Sequence, residues 1–152
     1  MAEETLILIK PDGVQRGLIG EVISRIEHKG LRVHGLKMLQ MDAAMARQHY
    51  AEHVDKPFFD SLSGFITSAP LVAMVAQGPD AVAHVRNLVG ATDPKDSPPG
   101  SIRGDYGLTI GMNIIHASDS PERAKREVAL FFRPEEVLDY TREVERWILE
   151  EA

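Results

Sequence analysis

The sequence contains no cysteine and only one tryptophan among its 152 residues. The lack of cysteine excludes disulfide bonds and thiolate-bound metal sites, and it is typical of proteins from reducing compartments. No apolar run approaches the roughly 20 residues that a transmembrane helix needs. The first residues after the initiator methionine include two glutamates, whereas a secretory signal begins with a basic segment. We therefore expect a cytoplasmic protein with no membrane-spanning part.

An excess of positive charge is also missing, since the formal net charge is −6 at pH 7. A nucleic-acid-binding surface needs many cations to neutralise phosphates, so specific nucleic-acid binding is not expected. Hydrophobic residues make up 43% of the chain, which is ordinary for a globular protein that buries a core. Neither a linker nor an internal repeat divides the sequence. We expect a single domain over 1–152.

Hydrophobic patterning predicts strands at 4–10, 31–41, 71–76 and 108–115, and helices at 18–29, 42–53, 57–65, 79–89 and 120–131. The segment 91–104, rich in proline and glycine, is predicted to be a long structureless stretch that is functional or forms an interface. The first strand is apolar on both faces, so we expect helices on one face and a partner on the other. The order βαββαβ with insertions predicts an α+β, ferredoxin-like sandwich with a four-stranded antiparallel sheet and helices packed on it.

A histidine ends the last apolar segment, directly before a strong helix start. His116 precedes Ser120, a preferred N-cap residue, and Pro121, a preferred first helical residue. The free N–H groups and the dipole of such a helix favour an anion near its N-terminus. A neutral imidazole is a nucleophile at physiological pH, so the arrangement predicts phosphoryl chemistry. For an isolated histidine, a structural place at the edge of the core is the more common explanation.

Glu127 lies about two turns into the helix that follows His116. A carboxylate there can bond one ring nitrogen, fix the tautomer and leave the other nitrogen free to attack. We expect Ser118 to bond Glu127 and hold it toward the ring. The alternative for Glu127 is a solvated helix charge beside Arg123 and Lys125.

The segment 113–120 resembles the active-site signature of nucleoside diphosphate kinases, usually written N-I-I-H-G-S-D. The segment 9–17 is similar to the first strand and turn of that family. Further stretches that match in order and spacing are 49–50, 56–59, 90–94 and 102–106. The resemblance covers essentially the whole chain, and the colinear matches together are far more specific than any one of them.

The resemblance implies transfer of the γ-phosphoryl group of a nucleoside triphosphate to a nucleoside diphosphate. The reaction would be ping-pong through a phosphohistidine at His116, and it would maintain NTP and dNTP pools with little base discrimination. A catalytically silent nucleotide-binding or regulatory protein on the same fold is the alternative. The retained His116, Glu127 and Lys10 favour the enzyme, because a pure binder needs no activated nucleophile. No Walker-type glycine loop is present, which argues against a P-loop kinase.

The resemblance further implies that Lys10, Arg86 and Arg103 bind nucleotide phosphates. It also implies that Phe58 stacks on the nucleobase and that Ile110 closes on its other face. Taken one by one, the arginines and lysine would be read as surface charges and Phe58 as a core residue. Arg16 is expected to be structural.

Three further residues are predicted to support the site. Thr92 is placed to meet a phosphate through its hydroxyl or N–H group, with a simple turn role as the alternative. Asn113 would bond a ribose hydroxyl or steer Lys10, unless its amide only bonds the backbone at a strand end. Tyr50 lies next to the site by resemblance.

Magnesium is the expected cofactor, held mainly by nucleotide phosphates, so no protein metal site is predicted. The remaining histidines are expected to be scattered surface or structural residues without metal-ligand partners, namely His28, His34, His49, His53 and His84. The expected partners are nucleoside tri- and diphosphates and further copies of the chain, with a hexamer favoured over a tetramer. The doubly apolar first strand, the proline-rich segment 94–99 and the apolar residues Val144, Trp147 and Ile148 agree with an oligomer, although packing within one chain is the alternative.

The sequence departs from the family pattern next to the nucleophile. Ala117 stands where the family has glycine, and alanine would be strained if that position needs a positive φ but harmless otherwise. Met112 replaces a common arginine, which removes a contact outside the chemical centre. None of these changes touches His116 or Glu127.

Overall fold

The computed structural model describes residues 2–150, in which four strands form one antiparallel sheet. The strands are β1 (Ala2–Ile9), β2 (Arg32–Leu39), β3 (Leu71–Pro79) and β4 (Ile115–Ala117). They lie in the order β2-β3-β1-β4, and every neighbouring pair is antiparallel. This confirms the predicted ferredoxin-like α+β fold.

Seven α-helices connect the strands and cover the sheet. They are α1 (Pro11–Gln15), α2 (Ile19–Lys29), α3 (Ala43–His49), α4 (Phe59–Ile66), α5 (Ala81–Val89), α6 (Ile102–Tyr106) and α7 (Pro121–Phe131). The start of α7 has the predicted chemistry, because the Ser120 hydroxyl accepts a hydrogen bond from the Arg123 N–H at 3.1 Å and Pro121 takes the first position. Helix α2 ends at Gly30, whose φ of 106° is the left-handed conformation that glycine adopts readily.

The central strand β1 is buried on both of its faces. Ile7 and Ile9 pack into a core with α2 and α5, whereas Leu6 and Leu8 pack into a second core with α3, α4 and α7. The expectation that a partner covers one face is therefore wrong. The helices inserted between β2 and β3, together with α7, cover that face within the same chain.

A fourth strand is present as predicted, but its predicted bounds, 108–115, are wrong. Strand β4 is only three residues long and begins where the prediction ended, and Ile110–Met112 form a 3-10 helix instead. Leu108, Ile110 and Met112 are exposed, at 86%, 57% and 53%, whereas Ile114 and Ile115 at the end of the segment are fully buried. The pairing of β4 with β1 extends only over 7–9 and 115–117, so segment 108–114 has no strand partner.

The segment 91–104 is more ordered than predicted. It contains a 3-10 helix at Pro94–Asp96 and the start of α6, which is capped by a hydrogen bond from the Gly104 N–H to the Ser101 hydroxyl at 3.0 Å. The predicted helix at 42–53 is divided into α3 and a 3-10 helix at Ala51–His53, and the short α1 was not predicted. Among residues 2–150, every helix is too short or too polar to cross a bilayer.

Candidate active site

His116 lies in the middle of β4, opposite Leu8 of the central strand, which fixes its backbone on the edge of the sheet. Its Nε2 atom is 2.9 Å from Oε1 of Glu127, which projects from α7. The Ser118 hydroxyl donates a hydrogen bond of 2.7 Å to the same Oε1. Glu127 is only 3% exposed, whereas the His116 side chain is 26% exposed. The predicted triad of histidine, glutamate and serine is thus assembled, with the histidine reaching the surface.

The protonation of this pair follows from its hydrogen bonds. Burial alone would raise the pKa of Glu127, but the hydrogen bonds from His116 and Ser118 outweigh it and lower the pKa to about 2. The carboxylate is therefore ionised at neutral pH and can only accept. Nε2 of His116 consequently carries the proton, and Nδ1 carries the free lone pair.

A second group of predicted residues meets around the turn between β1 and α1. The Lys10 ammonium donates to Oδ1 of Asn113 at 2.5 Å, and the Asn113 amide donates to the backbone carbonyl of Thr92 at 3.0 Å. Burial and the nearby Arg103 lower the pKa of Lys10 to about 8, partly offset by Asp12. Asn113 thus orients Lys10, which is one of the two predicted roles for this amide.

Arg103 is more deeply placed than a surface cation, with 5% of the residue exposed. Its guanidinium donates to the carbonyls of Asn113, Ile115 and Ala91 at 3.2, 2.6 and 3.2 Å. Burial and the neighbouring Arg86 lower its pKa to about 10, so it stays charged at neutral pH. Arg103 therefore uses part of its hydrogen-bonding capacity to hold the backbone at Ala91 close to the backbone at 113–115.

These side chains surround one open cavity of about 760 Å³. Ten of the predicted site residues line it, namely Lys10, Tyr50, Phe58, Arg86, Thr92, Arg103, Ile110, Asn113, His116 and Glu127, while Ser118 lies behind Glu127. Phe58 and Ile110 are 47% and 57% exposed, so each presents a large apolar surface beside the cavity. The cavity combines cations, a neutral nucleophile and exposed apolar side chains, which together suit a molecule with phosphates and a flat apolar ring.

The family model described as nucleoside diphosphate kinase matches residues 3–137. The chain belongs to the nucleoside diphosphate kinase family. It is 54% identical over 149 residues to a nucleoside diphosphate kinase of Archaeoglobus fulgidus, covering 98% of this chain and 99% of that one. It is 56% identical over 149 residues to that of Natronomonas pharaonis, covering 97% of each.

Solved structures agree with this assignment. The structure of a halophilic nucleoside diphosphate kinase from Halobacterium salinarum in complex with CDP matches with a TM-score of 0.95 and 51% identity, covering 99% of this chain and 100% of that one. A nucleoside diphosphate kinase family protein from Babesia bovis has a TM-score of 0.95 and 49% identity, covering 97% of this chain and 99% of that one. The protein is thus a phosphotransferase acting on nucleoside phosphates, and no comparison supports the catalytically silent alternative.

Several residues of the kinase site were not predicted from the sequence, among them His49, Glu52 and His53, which also lines the cavity. His49 was expected to be a surface or structural histidine without metal-ligand partners, yet its ring lies against the His116 ring with centroids 4.8 Å apart. Glu52 lines the cavity and binds Arg123 of α7, with 2.5 Å between Oε1 and Nη1. The match of 49–50 to the family was a signal for His49, whereas Glu52 lies outside every matching stretch. Both contacts join residues more than 60 positions apart, so local patterns do not show which side chains meet.

The alanine beside the nucleophile is compatible with its backbone. Within residues 2–150, positive φ angles outside glycine occur only at Asp80 and Ile114, so Ala117 is unstrained. It is 3% exposed and pairs with Ile7 as an ordinary strand residue. The left-handed residue of this segment is instead Ile114, with φ of 75°, and the Asp12 carboxylate accepts its N–H at 2.9 Å. Kinase signatures with alanine here are therefore structurally acceptable.

The residues of the site give a poor fit to a protein-bound magnesium ion. Within residues 2–150, one cluster offers three metal-ligating groups, namely His49, His116 and Glu127. Magnesium prefers oxygen ligands, and two of these three donors are imidazole nitrogens. The carboxylate oxygen is moreover already bonded by His116 and Ser118. A divalent ion used by the kinase would therefore enter as part of the nucleotide substrate.

Proposed function

We propose that His116 carries the phosphoryl group between the two nucleotides. In the first half-reaction, a bond forms between Nδ1 and the γ-phosphorus while the bond to the β–γ bridging oxygen breaks, and the nucleoside diphosphate leaves with that electron pair. In the second, a terminal phosphate oxygen of another nucleoside diphosphate forms a bond to the phosphorus while the bond between Nδ1 and phosphorus breaks. That electron pair returns to Nδ1, which regenerates the neutral imidazole. The main support for this proposal is the hydrogen bond between Nε2 of His116 and the ionised Glu127, because it leaves Nδ1 free as the nucleophile.

The carboxylate of Glu127 also supports the intermediate. When Nδ1 takes up the phosphoryl group, the ring becomes cationic, and the buried anion 2.9 Å from Nε2 stabilises that charge. Ser118 holds Glu127 in place and lets the carboxylate stay ionised. Tyr50 contributes a neutral hydroxyl to the cavity, since burial and Glu127 raise its pKa to about 12.

We propose that Lys10, Arg86, Arg103 and Thr92 receive the phosphates, with Asn113 directing Lys10 or bonding a ribose hydroxyl. Phe58 and Ile110 would hold the nucleobase between them. Every base has a flat face that can make this contact, so discrimination among bases would be small. The CDP complex of the Halobacterium salinarum protein supports a nucleotide in this cavity. We propose Mg²⁺ as the divalent ion, entering on the phosphates, because a hard cation binds phosphate oxygens well.

Three further proposals concern the setting of the enzyme. We propose a cytoplasmic location and a role in balancing NTP and dNTP pools there. We also propose that 1–152 forms one domain, since both core clusters share β1 and β3. The proposed assembly is a homo-oligomer, with a hexamer favoured over a tetramer, and the exposed Val144, Trp147 and Ile148 support an interface.

The test of the mechanism is labelling with γ-phosphate-labelled magnesium ATP. The wild type should take up an acid-labile, alkali-stable label on His116 and pass it to an added diphosphate of another nucleoside. The His116→Ala variant should take up none and lose about four orders of magnitude in turnover or more. His28→Gln is the matched control, because His28 is an exposed histidine of α2 outside the cavity. Label on the His116→Ala variant would refute the proposal.

A further inference from the structure

His49 is a buried histidine that is surrounded by aromatic rings. It is the last residue of α3 and is 3% exposed. Its ring lies edge-on to Phe131, with centroids 5.4 Å apart and planes at 81°, and beside Tyr50 at 4.6 Å. The other neighbouring ring is that of His116, at 4.8 Å and 82°. A histidine is thus packed as a core aromatic residue directly against the nucleophilic ring.

The charge state of His49 suits this contact. Burial is the main cause, and His116 the second, of a pKa lowered to about 3, although Glu127 and Glu52 oppose the shift. His49 therefore stays neutral wherever the enzyme works, and it places no positive charge beside His116. Its Nδ1 atom is buried and has no hydrogen-bond partner among residues 2–150. What His49 offers the neighbouring ring is accordingly its aromatic surface rather than a hydrogen bond through Nδ1.

The contact with His49 restrains the plane of the His116 ring, which the hydrogen bond to Glu127 does not do. A single hydrogen bond at Nε2 fixes the position of one ring atom but allows the imidazole plane to swing about that point. A neighbouring ring packed at 82° restricts this swing, because a T-shaped aromatic pair is held by contact and by the ring quadrupoles. The direction of the Nδ1 lone pair depends on the plane, and a displacement of about 1 Å in a reacting group can lower a rate by about 100-fold.

We propose that His49 is a positioning residue for phosphoryl transfer, which holds the plane of the His116 ring so that Nδ1 meets the γ-phosphorus. The proposal rests on the proposed function of His116 as the phosphoryl carrier. Glu127 sets which nitrogen is free, and His49 sets where that nitrogen points. The property required at position 49 is a flat, uncharged ring.

The test compares His49→Ala with His49→Phe in single-turnover phosphorylation by magnesium ATP. His49→Ala should slow the chemical step by 10- to 100-fold and leave the dissociation constant of the nucleotide within about threefold. His49→Phe keeps a neutral ring and removes the unpartnered nitrogen, so it should restore the rate to within about fivefold of wild type. The rescue by phenylalanine separates ring positioning from hydrogen bonding by the imidazole.

His34→Ala is the matched control. His34 is equally buried, at 4% exposed, but it lies in β2 and bonds Glu4 at 2.9 Å, outside the cavity. This variant should lose stability in urea and keep the rate of phosphorylation. An equal loss of rate in His34→Ala would mean general loosening of the fold and would overturn the proposal.

The remaining outcomes are equally decisive. A wild-type rate in His49→Ala, or a His49→Phe variant as slow as His49→Ala, would overturn the role of the ring. A weaker nucleotide affinity with an unchanged chemical step would also overturn it, since the residue would then act on binding. Phosphorylation of His116→Ala, measured in parallel, would instead refute the proposed function itself.

Discussion

The methyl group of Ala117 stabilises the fold and makes no contact that the reaction needs. Its side chain belongs to the core with Ile7 and Ile9, and its carbonyl accepts a hydrogen bond from Nη1 of Arg86 at 3.2 Å. Glycine would keep the carbonyl but lose the buried methyl and gain backbone freedom in the unfolded chain. Alanine is therefore the stabilising choice at a position without positive φ.

We predict that Ala117→Gly lowers the free energy of unfolding by about 1 kcal/mol. Its kcat/KM should stay within about twofold of wild type, because the carbonyl contact to Arg86 is a backbone contact. Urea denaturation and steady-state kinetics measure the two effects. A gain in stability would show that alanine is strained here after all.

Lys10 is one of the cations proposed to receive the phosphates, and its charge changes at a pH close to neutrality. Its pKa of about 8 lies below that of Arg103, at about 10, since burial and Arg103 both disfavour a charged ammonium. A lysine is charged below its pKa and neutral above it. Raising the pH through 8 thus removes this positive charge, whereas bound phosphates hold the proton on and move the loss to higher pH.

We predict that the dissociation constant for ADP rises on the order of tenfold as the pH increases from 7.5 to about 9.5. Calorimetric titration without turnover measures it. In Lys10→Arg the profile should be flat over the same range, because arginine stays protonated there. A wild-type profile that is also flat would contradict the assignment of Lys10 to the phosphates.

At the scale of elements, the segment from α3 to α4 forms one wall of the cavity and carries Tyr50 and Phe58. Glu52 ties this wall to α7 by contacts with Arg123 and Arg126, at 2.5 and 3.6 Å. The hydrogen bond from Arg123 lowers the pKa of Glu52, so the carboxylate is charged at neutral pH. The side chains of Glu52 and Arg123 are a third or more exposed, so their ion pair contributes only modestly to stability.

We predict that Glu52→Gln raises the KM for nucleotides two- to fivefold, because the wall is held less firmly against α7. The kcat should change little, and salt should reduce the difference from wild type. Glu135→Gln is the matched control, as Glu135 pairs with Arg133 at 3.1 Å outside the cavity. A large loss of kcat with constant KM would place Glu52 in the chemistry instead.

The segment 108–114 shows where secondary structure could not be predicted from the sequence. Its apolar residues read as a strand, but Leu108, Ile110 and Met112 are exposed. In a sequence, exposed apolar side chains that line a binding cavity and buried ones that fill a core have the same periodicity. Burial depends on which strands are available for pairing, and β1 accepts β4 only over three residues.

For the molecule as a whole, an acidic protein places four of its cations around one cavity. The net charge is −6, yet Lys10, Arg86, Arg103 and Arg123 all line the cavity. Cations gathered at one site favour anionic nucleotides there, although the molecule as a whole is acidic. The outer surface also carries the apolar residues Val144 and Trp147, which are 47% and 78% exposed in the single chain.

We predict that sedimentation velocity finds a particle of six times the 16.8 kDa chain mass. Trp147→Ala should shift the distribution toward smaller species, because a large exposed aromatic side chain is a strong interface anchor. Leu108→Ala serves as a comparison, since Leu108 is similarly exposed but lies outside the apolar C-terminal group of Val144, Trp147 and Ile148. A monomer at micromolar concentration would contradict the oligomer.

The family, the reaction and most of the site were determined by the sequence alone, because short colinear motifs place His116, Glu127 and Lys10 in recognisable local settings. The folded chain was needed to show that β1 is covered on both faces within one chain, that position 117 is unstrained, and that His49 packs against His116. These features depend on distances between residues far apart in the chain. Local patterns encode the tendency to form an element and its chemistry, whereas packing decides which faces meet.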